Sequence, residues 1–286
     1  ILVSVAQWSM AEEIATALQN VLVFDIETVP DVAGGRRTHG IELADDAGVA
    51  ELLQHQRRIE TQGATEFLRP YLHRVVAISA LWWQGGQVKL SSFGKVDDDE
   101  AALVTAFFQF IQRHAPQLVS WNGAAFDLPV LHYRALLHGI PAARYWEHGE
   151  QDQNYRWNNY TSRYHERHLD LMDVLSAYQA RNVARLQDIA LLLGLPGKLG
   201  MSGAEVWTHY QAGELAGIRH YCEVDVLNTA LVHLRFELTR GHLDRSAYDV
   251  CQTRLRSYLQ GRDEAHVQEF LTLWPENLHV ASQAHS

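Results

Sequence analysis

The sequence predicts an α/β protein whose core is a five-stranded mixed sheet flanked by helices. Three observations carry this reading. Three short apolar runs fall between residues 21 and 93, and a Gly-Gly pair separates the second from the third, which is a hairpin signal. Helical patterns then alternate with a fourth apolar run. The chain beyond about residue 184 is mostly helical. Hairpins first and αβ crossovers later are what a mixed sheet needs.

Val21 to Ile26 (VLVFDI) reads as a buried strand, being short, apolar and β-branched. Residues 31–70 are polar, with a helix expected near 42–60 that carries Arg57 and Arg58. Arg74 to Trp83 reads as the second strand and Gln87 to Phe93 as the third, joined at Gly85-Gly86. Asp97, Asp98 and Asp99 precede a helix with Leu103, Phe107, Phe110 and Ile111 on one face; acids suit a helix N-terminus. Gln117 to Trp121 reads as the fourth strand, followed by a helix over about 128–138. Leu169 to Val174 fits either a fifth strand or a helix start. A long helix is expected over about 214–239.

Composition bounds the function. The 286 residues are 47% hydrophobic, which suits a globular protein rather than a disordered one. No apolar run is long enough to span a bilayer, so no membrane partner is expected. The first twenty residues lack a basic n-region and carry Glu12 and Glu13, so no signal peptide is read. Two cysteines, Cys222 and Cys251, exclude a disulfide framework and a multi-cysteine zinc site, and suit a reducing cytoplasm. No His-x3-His pattern suggests zinc, and no Gly-x-Ser-x-Gly element suggests a serine hydrolase. The expected organisation is an N-terminal extension (1–20), a main domain (21–242) and a helical C-terminal extension (243–286) packed on it. The formal net charge of −10 argues against a nucleic-acid partner when taken alone. Carboxylates gathered to hold cations would carry part of that charge, and bound metal inverts the local field.

Three groups of residues carry chemistry. Asp25 and Glu27 lie two apart at a strand end, so they share one face. Burying two like charges together is costly without a cation, and Mg²⁺ prefers one or two carboxylates plus substrate oxygens. The bland alternative is two solvated charges at a strand exit. The second group is Asn122-Gly-Ala-Ala-Phe126-Asp127, between a strand and a helix; its bland reading is a helix N-cap aspartate. The third is Tyr221-Cys222-Glu223-Val224-Asp225, where Tyr221 and Asp225 share a helix face. Each signal is weak alone. In this order and setting, all three can converge above one end of the sheet.

Phe24-Asp25-Ile26-Glu27-Thr28, Asn122-x3-Phe126-Asp127 and Tyr221-Cys222-x2-Asp225 resemble the three exonuclease motifs of the DEDD superfamily in its tyrosine-bearing branch. The third motif is similar to that of the proofreading domain of family-B DNA polymerases, and to stand-alone bacterial proteins related to that domain. The resemblance covers about residues 21–240 and implies a ribonuclease H-like fold and 3′–5′ exonuclease activity. It implies that Asp25, Glu27 and Asp225 bind a first divalent cation, Mg²⁺ or Mn²⁺. Asp25 would bridge to a second, with Asp127 acting through water. Two such cations about 3.5–4 Å apart activate the attacking water and stabilise the leaving oxygen. Tyr221 would orient that water. His220, five residues before Asp225, has the spacing of the histidine branch and is the alternative general base.

The expected substrates are single-stranded 3′ ends, DNA favoured, with release of nucleoside 5′-monophosphates. An exoribonuclease or oligoribonuclease role and a non-catalytic nucleic-acid-binding module are the alternatives. No polymerase domain fits in the rest of the chain, so a polymerase or repair partner would act in trans. Thr28, Asn122 and Phe126 are candidate substrate contacts beside the carboxylates. Asp170 and Asp173 fit strand-end or N-cap use. Lys198, in Leu195-Pro-Gly-Lys-Leu-Gly200, sits in a glycine-rich turn and is a candidate phosphate contact; the P-loop spacing is absent. Residues 155–165 interleave Arg156, Trp157 and Arg163 with tyrosines and contain no acid, as a single-strand grip would; the alternative is a surface hairpin whose aromatics pack downward. Replacing Arg156 and Arg163 together with alanine should flatten the salt dependence of single-strand binding by one to two phosphate contacts' worth of slope. Titrating binding against salt checks this, and an unchanged slope contradicts it.

Overall fold

The structure is a computed structural model and describes residues 18–42 and 45–275. Residues 1–17 of the expected N-terminal extension and 276–286 of the expected C-terminal extension lie outside the described residues. The sheet has five strands: β1 (Asn20–Pro30), β2 (His73–Gln84), β3 (Gln87–Ser92), β4 (Gln117–Ser120) and β5 (His168–Asp170). Their spatial order is β3-β2-β1-β4-β5. The first three pair antiparallel, with Asp25 opposite Ser79 and Leu81 opposite Leu90. β4 and β5 add in parallel, with Leu22 opposite Leu118 and Val119 opposite Leu169. This is the mixed five-stranded sheet expected, and the parallel half places the ends of β1, β4 and β5 at one edge of the layer.

Alternation along β1 divides the core. Leu22, Phe24 and Ile26 face one side, where α3 (Glu100–His114) and α4 (Asp127–His138) bury Phe107, Ile111, Val130 and Leu131. Val21 and Val23 face the other side, against α8 (Leu215–Thr239). That helix is buried along most of its length, through Val224, Leu227, Ala230, Leu231 and Leu234. It needs no polar face because the sheet lies on one side and further helices on the other. Those include α6 (Leu186–Leu192), α9 (Arg245–Gln260) and α10 (Ala265–Leu273). At the outer edge of β3, Tyr258 Oη accepts from the Leu90 N–H at 2.9 Å, and Arg262 donates to the Leu90 carbonyl at 2.8 Å. Side chains from the C-terminal helices thus satisfy an edge that would otherwise be open for pairing. No helix among the described residues is long and apolar enough to cross a membrane.

Several elements differ from expectation. The polar stretch after β1 holds two helices, α1 (Val32–His39) and α2 (Asp46–Glu60), rather than one. Asp31 and Asp45 cap them by accepting from Gly34 and Gly48. Residues 169–174 are both alternatives in succession: β5 ends at Asp170, and α5 (Leu171–Leu175) begins there. In the 145–168 excursion, Tyr145, Tyr155 and Tyr160 are buried. Tyr145 and Tyr160 stack at 5.4 Å, and Tyr160 Oη donates to the Pro116 carbonyl at 2.7 Å. These aromatics pack downward, while Trp157 and Tyr164 stay exposed.

A buried ionic group ties the layer over α4 together. Arg134 donates to Asp31 at 2.5 Å and to Glu100, whose other oxygen accepts from the Val75 N–H at 2.6 Å. All three side chains are about 5% exposed or less. Removing the guanidinium strands two carboxylates away from water. Arg134→Met is therefore expected to cost about 3–5 kcal/mol in equilibrium denaturation. Arg185→Ala, at an exposed pair with Asp188, should leave the denaturation midpoint unchanged.

Candidate active site

Four carboxylates and a phenol meet at the end of the sheet from three different elements. Asp25 and Glu27 continue the Val21–Val23 face of β1, toward α8. The register of β1 against β2 shifts between Glu27 and Thr28, so the strand re-aims just after the second acid. From α8 come Asp225 and, one turn earlier, Tyr221. Asp127 comes from the first turn of α4. The helix's cap residue is Phe126, and Asp127 follows it as the first helical residue, so the bland N-cap reading does not hold. Glu27, Asp127, Asp225 and Tyr221 are buried; Asp25 is partly exposed.

The electrostatics follow from that crowding. Burial pushes the Asp25 carboxyl well above its ordinary range, and the charges of Asp127, Glu27 and Asp225 push it further. Glu27 is raised by burial and by Asp225, against the opposing pull of Lys198. Asp127 is pushed up to about 7, chiefly by burial. Asp225 is raised by burial, with Lys198 and Tyr221 opposing. Tyr221 is raised by burial and then by the negative charge of Asp225, Glu27 and Asp25. It stays a phenol at neutral pH and can orient a water molecule without itself being an anionic base.

Such a site is costly in the absence of a counter-charge, and its donor set suits a hard divalent cation. One carboxylate oxygen each from Asp25 and Glu27 lies within 4.8 Å of the other and of the Cys222 sulfur. Oδ1 of Asp225 is buried with no hydrogen-bond partner among the described residues. An orphaned carboxylate oxygen within range of Asp25 and Glu27 fits the donor set of such a cation. The Cys222 thiol is raised well above its ordinary value by burial and by Asp25, so it is a donor; it reaches the Asp25 carbonyl at 3.4 Å.

Lys198 is drawn into this site. Its ammonium donates to Tyr221 Oη and lies 3.7 Å from Asp225 Oδ2. The turn that carries it is clamped by Asn228. That side chain accepts from the Gly197 N–H at 3.0 Å and donates to the Gly197 carbonyl at 2.8 Å. Sequence reasoning passed over Asn228; an amide three residues beyond Asp225 inside an apolar helix was the available signal.

The remaining candidates divide. Thr28 Oγ1 pairs with His73 Nδ1 at 2.8 Å, and His73 Nε2 with the Leu68 carbonyl at 3.2 Å. Burial lowers His73 to about 4, so the ring is neutral; donation from Nε2 leaves Nδ1 to accept from Thr28. Phe126 meets His73 edge-on at 4.9 Å and packs at a tilt against Phe67 at 5.1 Å. Thr28, Phe126, Phe67 and Glu27 line one cavity of about 540 Å³. Asn122 takes a left-handed backbone (φ 67°), a conformation asparagine tolerates. A Cβ on the next residue, Gly123, would lie 2.3 Å from Ser120 Oγ, so only glycine fits. Asp170 holds this turn by accepting from the Asn122 and Ala124 N–H groups, at 3.0 and 2.9 Å, and caps α5 through Met172 and Asp173. His220 is not brought to the carboxylates: it stacks on His266 at 4.1 Å. Arg156 lies over Trp157 at 5.5 Å, and Arg163 pairs with Asp173 at 2.7 Å; neither contacts the four acids.

Asp127 gives a signed pH dependence. Its folded pKa of about 7 exceeds its ordinary 3.8, so the folded state holds the proton more tightly. This contribution therefore weakens as pH rises between those values. In EDTA, melting temperature should fall from pH 5 to pH 8 more in wild type than in Asp127→Asn. At pH 8, Mn²⁺ at a hundred times its dissociation constant should stabilise wild type by about 2.7 kcal/mol. Asp25→Asn and Asp225→Asn should lose that increment; equal stabilisation of all three would count against a cation held here.

A search of curated proteins returns no match. Among solved structures, the chain is similar to the family B DNA polymerase of the hyperthermophilic archaeon Pyrobaculum calidifontis, at 18% identity and a TM-score of 0.44. That likeness covers 85% of this chain and only 29% of the polymerase chain. The matching family model begins downstream of Asp25 and Glu27 and includes Asn122, Asp127, Tyr221 and Asp225. Residues 65–274 match the family of predicted 3′–5′ exonucleases related to the exonuclease domain of PolB, and the chain belongs to that family.

Proposed function

We propose that this protein is a two-metal 3′–5′ exonuclease of the tyrosine branch that hydrolyses single-stranded nucleic acid, DNA favoured, and releases nucleoside 5′-monophosphates. The observation that carries the reading is that Asp25, Glu27, Asp127 and Asp225 come from three elements to within range of one another's charge, with the Tyr221 phenol bonded to Asp225. Asp25, Glu27 and Asp225 would hold one divalent cation, Mg²⁺ or Mn²⁺, with Asp25 shared by a second and Asp127 reaching it through water. Bound cations lower the pKa of the attacking water and stabilise the departing oxygen.

The protein's own groups do the positioning. Tyr221 orients the water for attack on the terminal phosphorus, and the 3′ oxygen of the preceding nucleotide departs. Lys198 holds the Tyr221 oxygen in place and offsets part of the carboxylate charge as an anionic backbone approaches. The cavity beside Glu27 and Thr28 suits the terminal nucleotide, with Phe126 and Phe67 offering rings for its base. Thr28, fixed by His73, stands at its wall. The preference for DNA rests on the Tyr-Cys-x-x-Asp form of the third motif. A polymerase or repair partner acting in trans belongs to this reading.

The test is degradation of 5′-labelled single strands in Mg²⁺ or Mn²⁺, with free and blocked 3′ ends, DNA and RNA side by side. Free-ended DNA should shorten stepwise, and EDTA, a blocked end or Asp25→Ala should abolish this. Tyr221→Phe should lower kcat about 100-fold and keep the Mn²⁺ stabilisation, while His220→Ala stays within about twofold. The reverse pattern for these two variants overturns the branch assignment. Absence of degradation on every single strand overturns the enzyme reading in favour of a binding module.

A further inference from the structure

A second cavity, of about 520 Å³, opens on the other flank of the 122–128 turn. The two cavities share that turn but none of their lining residues: Phe126 faces the first, and Ala124, Ala125 and Leu128 face the second. The floor of the second is the stacked pair Tyr145 and Tyr160. On its wall, Trp146 is about half exposed and packs against His132 at 4.8 Å between ring centres. His132 Nε2 is buried and has no hydrogen-bond partner among the described residues. At the rim, Arg163 pairs with Asp173.

We propose, building on the exonuclease reading, that this cavity takes one unstacked nucleobase of the substrate strand, upstream of the two nucleotides that flank the bond being cleaved, with Arg163 meeting the adjoining phosphate. The chemistry of the walls supports this occupant. A planar base matches a slot floored by stacked tyrosines and edged by an exposed tryptophan. Burial lowers His132 to about 4, so its ring is neutral and its orphaned nitrogen can bond a base edge without carrying charge. Arg163 is a cation at the mouth, in a chain whose net charge is −10.

The position also couples the cavity to the carboxylates. Asp173, the partner of Arg163, lies in the helix that Asp170 caps, and Asp170 holds the Asn122 and Ala124 N–H groups. That turn ends in Asp127. A base seated here would brace the turn from behind while the terminal nucleotide lies in front of it. The cavity therefore measures substrate length: a dinucleotide occupies the first cavity alone, and a longer strand spans both.

The experiment is steady-state degradation of dT2 and dT8 by the Mn²⁺-loaded full chain. Trp146→Ala and His132→Ala should each raise KM for dT8 about tenfold, leave its kcat within twofold, and leave dT2 unchanged. Trp146→Phe, which keeps an aromatic surface, should restore the wild-type KM. A single abasic site moved along dT8 should raise the wild-type KM at one upstream position and have no further effect there in Trp146→Ala. Equal effects on both lengths, an effect on kcat alone, or no effect overturn this cavity's role and leave the exonuclease reading standing. A wild type that degrades neither oligonucleotide overturns both. Melting temperatures of the variants within a few degrees of wild type separate lost binding from lost folding.

Discussion

Like charge held at high density is the constraint around which the rest is arranged. Burial raises all four of Asp25, Glu27, Asp127 and Asp225, and the charges of its neighbours raise Asp25 and Glu27 further, so nothing in their own interactions holds the acids together. They stay together because each is fixed by apolar packing elsewhere. β1 is buried on both faces, and α8 is buried along most of its length. The stability of the apolar core offsets a local destabilisation that a cation would relieve.

The polar groups around the acids serve the same end. Lys198 contributes a cation, but only because Asn228 fixes the Gly197 turn beside α8. Asp170 is itself a buried acid raised by its surroundings, yet it binds backbone N–H groups and caps a helix. It is a structural carboxylate next to functional ones. The distinction lies in satisfaction: Asp170 accepts four backbone donors, whereas Asp225 keeps a buried oxygen with no partner among the described residues.

The 145–168 excursion shows why an aromatic and basic pattern is ambiguous before folding. Its tyrosines are spent on the core: Tyr155 lies beneath Arg167 at 3.8 Å, and Tyr160 is tied to Pro116. Trp157 and Arg156 remain outside, stacked on one another. Arg163 is also outside, but it lines a cavity that Tyr145, Trp146 and Tyr160 form with α4 and the 122–128 turn. Composition marks the segment as unusual, and only packing assigns each ring to core, surface or cavity.

Alternation, turn signals and spacing were enough to locate four of the five strands, the helix around Asp225 and the pairing of Tyr221 with Asp225. These depend on local periodicity, which a strand or helix carries within its own residues. Asp25 and Glu27 share a face for that reason alone. The single sequence left Tyr221 and His220 open because both lie on one helix; the partner His266, forty-six residues away, takes up His220. It left Lys198 as a turn lysine and candidate phosphate contact, because the bonds that bring it to Tyr221 run between segments far apart in the chain. The helix at 32–39 and the double character of 168–175 were missed because short elements are set by caps and neighbours rather than by period. The sequence by itself determined which carboxylates stand at strand ends and on helix faces. Tertiary structure alone decided which of them share a point, which cation and phenol join them, and where a cavity opens behind Asp127, because those are distances between elements and no local pattern encodes them.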